Sequence, residues 1–465
     1  MPVDTQHPEY TKYIKTWQRT RDAVCGTVAI KEKRKLYLPS PSESGAEDSA
    51  RYDNYICRAL FTNFTARTKN ALVGAAFRKP PEIELPAGLE YLELDATGDG
   101  LGLEQLSKDS LGNILETSRE GFLVDYPPMG EGLSAEDMAT LKPQATINPY
   151  PAEAVINWKT ETRSGRTMLS LVTLQENYSI GEDSFSHETE VQYRVLALDT
   201  DGHYFQQVFR DGDPYEAPIY PRDSSKQFWN EIPFIFCGAQ NNDATVDDAP
   251  LADIAEINIA HYRNSADYEE GAFVHGQPTV HVDTGDMSND DWSALNPNGV
   301  LVGARSAIIT AGGGKASLMQ AEANGAAHEA MILKEDQIVK IGARVITDRS
   351  GQETAEAARI RFSSENSVLG DVVVNLSTAL EKCIRWCGQF MGVDSDITYQ
   401  INTSFFDKSL DPQTIMALIT AYDRGALGMT DLRRSLRAAD MTERNDEEID
   451  QEVDLADPLE GMAIE

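Results

Sequence analysis

The residues able to do chemistry form few constellations, and each lacks a required member. Asp95-Ala96-Thr97-Gly98-Asp99-Gly100 opens like a calcium loop, but the twelfth position, where a bidentate carboxylate must close the coordination sphere, is Leu106. A turn ahead of a helix is the reading that remains. Gly98, Gly100 and Gly102 follow no clear strand, so they do not make a dinucleotide fingerprint. Gly312-Gly313-Gly314-Lys315 has the lysine of a phosphate loop, yet Ile309 stands where the first glycine belongs and Ala316 where a hydroxyl would hold magnesium. His328-Glu329 has Ile332 in place of a second zinc-binding histidine. The seven histidines are scattered, with no nucleophile elbow near them. Cys25, Cys57, Cys237, Cys383 and Cys387 fit no disulfide framework or zinc knuckle, and Cys383 and Cys387, one helical turn apart, read as packing thiols. The expectation is no catalytic, cofactor or metal site and no enzyme.

Composition narrows the class further. The 465 residues are 41% hydrophobic and 25% charged, an ordinary globular balance with room for two or three domains. The 75 acidic residues against 41 basic ones leave a net charge of −34. Such a surface does not coat DNA or an anionic membrane, although a negative wall lets DNA slide past without holding it. No run of about 18 apolar residues suggests a membrane span. Met1-Pro2-Val3-Asp4 lacks a signal-peptide pattern, and the cysteine usage suits a reducing cytoplasm.

Elements follow from periodicity. Residues 9–38 are basic (Lys12, Lys15, Arg19, Arg21, Lys31, Lys33, Arg34, Lys35), and Tyr13 and Trp17 at helical spacing predict a helix. This basic segment reads either as a solvated face or as a clamp on a larger acidic partner, a neighbouring subunit or a shell protein. Tyr52, Tyr55, Ala59, Leu60, Phe64, Leu72 and Val73 predict one long helix over 50–77, stopped by Pro80-Pro81. A helix over 103–123 leads into a short strand ending at Tyr126-Pro127.

From 146 to 237 the period is two, with strands at 154–158, 169–174, 191–198 and 204–209 and a closing strand at 232–236, where Pro233 favours an edge. Asp248 is the expected cap, and Pro250 the first turn, of a helix running to Glu270. Short strands and turns follow over 277–315. A long helix is expected over 318–345, an irregular stretch at 346–353, a long helix over 354–391, and a strand at 396–401. The tail reads as a helix over 412–424 and a short helix capped by Thr430, then a last 26 residues with eleven Asp/Glu and one Arg. Trp17, Trp158 and Trp386 read as core.

Tyr37-Leu38-Pro39, Gly74-Ala-Ala-Phe77-Arg-Lys-Pro80-Pro81, Leu123-Val-Asp-Tyr-Pro127, Ile156-Asn-Trp158, Arg194-Val-Leu196, Ile232-Pro-Phe234, Asn258-Ile-Ala-His-Tyr-Arg263-Asn-Ser-Ala-Asp267-Tyr and Glu353-Thr-Ala-Glu-Ala357 occur in that order. In this order they resemble tailed-bacteriophage portal proteins, in particular a portal-like phage branch known as a domain of unknown function.

The resemblance implies an α+β portal fold assembled as a ring of about twelve subunits at one capsid vertex. Its parts would be an α/β wing (1–247), a first stem helix (248–271), a small α/β clip (272–317), a second stem helix (318–345), a tunnel loop (346–353), the long wing helix and strand (354–408) and a helical crown with the acidic tail (409–465). It implies a virion protein, assembled in the host cytoplasm, through which double-stranded DNA is packaged and ejected without sequence preference. The implied partners are the terminase large subunit, the head–tail adaptor, and the major capsid and scaffolding proteins.

Between Lys315 and Arg361 seven basic residues balance seven acidic ones, inside a chain of −34. Lys340, Arg344, Arg349, Ser350 and Gln352 are therefore the candidates for touching DNA phosphates. Asp283, Asp286, Asp290, Trp292 and Arg305 are the candidates for docking terminase or adaptor at the clip. The competing readings are another virion head or connector component and a soluble enzyme with an unrecognised site, which would show a deep polar pocket.

Overall fold

A computed structural model describes residues 2–41, 50–127, 143–163, 165–180, 185, 187–276, 279–297, 299, 313–319, 325–342, 355–393, 396–403, 405, 412–438, 446 and 449. Contacts divide the chain into Met1–Ile401 and Asn402–Glu465.

The larger unit opens with four helices: α1 (Pro8–Cys25), α2 (Thr27–Glu32), α3 (Ala50–Arg58) and α4 (Phe64–Ala76). Pro8 starts α1 and the His7 ring accepts from the Glu9 amide at 3.2 Å. Gly26 ends it at φ +90°, and a Cβ there would lie 2.8 Å from the Asn63 side chain.

The single helix expected over 50–77 is two. Asn63 caps α4 through the Ala66 amide (2.8 Å) while donating to Val24 O (2.8 Å). A side chain that satisfies the start of a new helix and ties it to α1 outcompetes helical continuation.

β1 (Glu82–Glu84) precedes α5 (Leu103–Thr117). α5 stops six residues before its expected end at 123, because Ser118 turns left-handed (φ 68°) and the chain continues as β2 (Arg119–Asp125). β3 (Thr146–Pro151) follows, then β4 (Val155–Arg163), β5 (Arg166–Ser179), β6 (Thr189–Leu198), β7 (Tyr204–Arg210) and β8 (Asp213–Pro214), a five-stranded antiparallel meander in that order. β9 (Phe234–Gly238) joins a three-stranded antiparallel sheet of order β3-β2-β9, so the strand after Pro233 is an edge. At Gly121 in the centre of β2, a Cβ would lie 2.3 Å from the Phe234 ring.

Next come α6 (Ala252–His275), β10 (Thr279–Asp283), α7 (Asn289–Leu295), β11 (Lys315–Met319), α8 (Ala326–Ile341), α9 (Ala355–Met391) and β12 (Thr398–Gln400), which pairs antiparallel with β1. α6 starts after Leu251 with no side-chain cap, so Asp248 is not the cap. The helix expected from 318 begins at Ala326, since Leu318 pairs with Val280 in a strand. α7 was not foreseen. None of the described helices is long and apolar enough to cross a membrane. In the smaller unit, α10 (Pro412–Asp423) and α11 (Met429–Ala438) pack together across Gly425 (φ 70°). Thr430 lies inside α11, not at its cap.

The core lies between the three-stranded sheet, α5 and α9. Leu369, Val372, Val373, Leu376, Leu380, Cys383, Ile384 and Cys387 form the buried stripe of α9. Trp17, Trp158 and Trp386 are buried, as expected. Trp386 Nε1 donates to Glu231 (2.8 Å).

Buried polar ties join the layers. Arg21 of α1 grips Glu153 through Nε (2.9 Å) and reaches Asn113 (2.6 Å) and Glu116 (2.9 Å) of α5, and Lys69 of α4 completes the Glu116 pairing (2.8 Å). On the meander Arg194 holds Glu176 at 2.7 and 3.2 Å, and Tyr150 of β3 donates to the same carboxylate at 2.7 Å. Burial alone would raise the Glu176 pKa, but Arg194, Tyr150 and Gln192 bring it below the ordinary value. Arg119 is buried with no hydrogen-bond partner on its guanidinium, 3.6 Å from the Phe236 ring centre and 4.5 Å from that of Trp158. Aromatic faces stand in for a counter-ion, and burial lowers its pKa to about 9.

Glu120, which accepts from Asn113 at 2.7 Å, is pushed up to about 7 by burial, well above the 4.5 of a free glutamate. A carboxyl whose folded pKa is raised binds more protons folded than unfolded, so its contribution to stability falls as pH rises from about 4.5 to 7. Glu120→Gln is therefore expected to stabilise the protein at pH 8 by up to ~3 kcal/mol and to give little gain at pH 4.5. Urea denaturation of both proteins at the two pH values checks this.

Candidate functional site

The long helix α6 leaves the body from a root built of its own polar side chains. Asn258, fully buried, accepts through Oδ1 from the amides of Phe64 and Thr65 (both 3.1 Å) and from the Thr65 hydroxyl (3.0 Å), and donates to Thr62 O (2.8 Å). Ser265 Oγ accepts from the Leu60 amide at 3.0 Å. Arg263 donates to Tyr37 O (2.8 Å), Asp267 accepts from the Tyr55 hydroxyl (2.6 Å), and Arg58 pairs with Glu270. Asn258 and Ser265, two turns apart, share one face of the helix, and Arg263, Asp267 and Glu270, spaced by four and three residues, share a second. All but Glu270 fall in the 258–268 stretch that carried part of the family resemblance, but their anchoring role was not read from the sequence. The signal was present as polar residues at helical spacing where a core helix would place apolar ones.

α8 returns antiparallel along α6. His261 Nε2 meets Glu335 at 3.1 Å, Lys334 donates to Asn264 at 2.6 Å, and the Tyr268 and His328 rings lie 5.7 Å apart. Burial lowers the His261 pKa, although Glu335 partly opposes the shift. A neutral imidazole therefore links the two helices at neutral pH. Because the folded pKa is depressed, this link loses stability as pH falls below the ordinary histidine value.

Beyond this root the hairpin is uncovered. The buried residues of α6 end at Ala266, and among the described residues of α8 Ile338 alone is buried. Tyr268, Phe273 and Val274 on α6, and Ile332, Leu333 and Ile341 on α8, are between 43 and 56% exposed. These half-exposed apolar side chains lie on several faces of the two helices, and Phe273 carries the Arg58 guanidinium 4.1 Å from its ring centre.

Between α6 and α8 the strands β10 and β11 pair in register from Thr279 with Met319 to Asp283 with Lys315. Asp283 accepts from the Gly285 amide (3.0 Å), Asp286 is exposed in the turn, and Asp290 and Trp292 stand on α7, whose start Ser288 caps through Asp291 N (3.2 Å). Asp283, Asp286 and Asp290 are exposed and Trp292 half-buried. Arg305 lies outside the described residues. Of the DNA-channel candidates, Lys340 is exposed near the end of α8, and Arg344, Arg349, Ser350 and Gln352 lie outside the described residues.

The motifs tested for chemistry resolve into structural roles. Asp95 Oδ1 accepts from the amides of Gly98 (2.7 Å) and Gly100 (3.0 Å), an ordinary turn. Lys315 opens a strand rather than a helix. Cys237, Cys383 and Cys387 are buried, which drives their thiol pKa values up and keeps them protonated. Asp199, Asp201 and His203 offer three ligand atoms within 4.8 Å of one another at the β6–β7 turn, where Asp199 already accepts from the amides of Asp201 and His203.

Residues 250–391, which span the hairpin, its insertion and α9, match a family described as a domain of unknown function, DUF4055. No curated protein matches the chain. Among solved structures, the chain is similar to a protein in the neck of a native gene transfer agent particle computed with C12 symmetry, at 13% identity and a TM-score of 0.44 over 88% of this chain and 98% of that one. It is also similar to a chain in the virion of a native gene transfer agent particle (13% identity, TM-score 0.43, 86% of this chain and 95% of that one). A third likeness is to an HK97-family phage portal protein from Corynebacterium diphtheriae, at 10% identity and a TM-score of 0.34 over 74% of this chain and 96% of that one.

Replacing Asn258 with Ala removes the partner of the buried Thr65 amide and hydroxyl, and leaves the Phe64 amide and the Thr62 carbonyl only each other. The expected loss is about 3 kcal/mol, with accelerated hydrogen exchange at Phe64 and Thr65, as measured by denaturation and amide exchange.

Proposed function

We propose that this chain is the subunit of a phage portal ring, a conduit through which double-stranded DNA enters and leaves a capsid, with no catalysis of its own. The observation that carries the reading is the α6–α8 hairpin, whose half-exposed apolar side chains the described residues leave uncovered. Copies arranged around an axis would cover one another's hairpins and leave a hole at the centre. The near-neutral charge from Lys315 to Arg361, within a chain of −34, suits a passage that neither grips nor repels phosphate strongly. The order of parts and of local sequence stretches resembles the portal family, which implies about twelve subunits.

On this reading α6 and α8 are the stem and the β10–β11 insertion is the clip. Asp283, Asp286, Asp290, Trp292 and Arg305 would dock the packaging terminase and later the head–tail adaptor. Lys340, Arg344, Arg349, Ser350 and Gln352 would meet the DNA backbone. Energy for packaging would come from the docked terminase.

Negative-stain electron microscopy with native mass measurement tests the reading. Rings with an axial hole are expected, and a compact dimer or tetramer without a channel overturns it. Ile332→Glu together with Leu333→Glu is expected to leave folded subunits that no longer form rings. Arg349→Ala with Lys340→Ala is expected to weaken DNA retention in filled particles without changing ring number.

A further inference from the structure

A closed ring needs two unlike patches on each subunit, because a head-to-tail contact joins one face of a copy to a different face of the next. The surface of the larger unit carries such a pair. The first patch is α2 and the turn after it. Val28 is 70% and Leu36 65% exposed, and between them stand Lys31, Lys33, Arg34 and Lys35 with Glu32 as the one acid. Arg34 sits at φ 45°, a conformation an arginine rarely adopts, in the short 3-10 turn that presents Lys35 and Leu36. Within the chain Arg34 meets Asp53 at 2.8 Å and Lys33 meets Asp22 at 4.0 Å, with the side chains of Lys33, Arg34 and Asp53 about half exposed. Pairs that exposed contribute little and exchange partners readily.

The second patch is an open cavity of about 980 Å³ beside β1. Its apolar lining includes Ile83, Leu85 and Leu94, the last 81% exposed. Its charged lining is Glu84, Glu90, Glu93 and Asp396, with no basic residue. An acidic groove in an acidic protein repels DNA and repels most of the surface of its own copies. What it accepts is an apolar segment carrying positive charge, and each copy of this chain offers one at 28–36.

We infer that the Val28–Leu36 turn of one subunit seats in the Ile83–Leu94 groove of the next, with Leu36 on the apolar lining and Lys33 and Arg34 against Glu90 and Glu93. This rests on the ring reading above and specifies one of its contacts. The occupant is a second copy of this chain. The contact is heterologous, so it propagates from copy to copy and gives a ring when the rotation between neighbours closes. Because its charges lie at the surface, it weakens as salt screens them over about 8 Å at physiological ionic strength.

Charge reversal tests the pairing. Lys33→Glu with Arg34→Glu places acidic residues on both sides of the contact, and Glu90→Lys with Glu93→Lys places basic residues on both sides of it. Each variant, verified as folded by circular dichroism, is expected to lower the fraction of subunits in rings at least tenfold at about 150 mM salt, as read by native mass and electron microscopy. An equimolar mixture of the two is expected to restore rings, since each copy then meets a neighbour of opposite charge on both sides. So is the chain carrying all four substitutions.

Rings that form equally well in either single-patch variant overturn the inference, as does failure of both the mixture and the fourfold variant to recover. Both of those results leave the portal reading standing if the unsubstituted chain forms rings. A compact unsubstituted assembly without a channel overturns that reading and this contact with it.

Discussion

The turn at residues 60–65 cannot satisfy its own backbone, and that constraint sets where the long hairpin leaves the body. α4 begins at Phe64, so the amides there have no preceding helical carbonyls to meet. Asn63 serves Ala66, Thr62 O and Asn258 of α6 share Phe64, Asn258 alone meets Thr65, and Ser265 of α6 meets the Leu60 amide ahead of the helix. Sliding α6 by one turn would strand several buried polar groups at a cost of about 1–3 kcal/mol each. The root is therefore fixed in rotation and register. α8 inherits both through His261–Glu335 and Asn264–Lys334, and the insertion between the two helices inherits its direction from them.

The same logic explains how basic residues are distributed in so acidic a chain. Arg21 and Lys69 are engaged inside the N-terminal layers, Arg194 binds Glu176 between sheets, and Arg119 is enclosed by aromatic rings. Arg21 and Lys69 tie elements far apart in sequence through Glu116, and removing Arg194 would leave the carboxylate of Glu176 without its cation. The acidic excess is left on the surface. Against that background a short run such as 31–35 stands out as a positive surface feature.

The apolar surface is distributed just as unevenly. α9 buries its stripe from Leu369 to Cys387 against the three-stranded sheet and α5, whereas α6 buries its root and leaves its outer half bare. A fold that could have shortened this hairpin instead extends it with exposed tyrosine, phenylalanine, isoleucine and leucine. On the proposed reading another chain completes that surface, so assembly rather than a pocket is its basis.

Much of this was legible from residue order. The buried stripe of α9 repeats at helical spacing, the strands of the meander alternate, and both follow from the fixed geometry of helix and strand. The failure of every catalytic motif was also readable, because a missing ligand or hydroxyl is a property of sequence. The breaks were not. The helix expected over 50–77 divides at Asn63, and Leu318 enters a strand although its neighbourhood reads as helix. In each case the deciding partner is distant: Val24 and Asn258 for the first, Val280 for the second. Sequence by itself determined the periodic elements, the overall charge and the lack of an enzyme's motifs, because those depend on neighbours along the chain. Tertiary structure decided where helices end, which cations are buried and which apolar side chains are left bare, because those depend on hydrogen-bond and packing partners that only folding brings together.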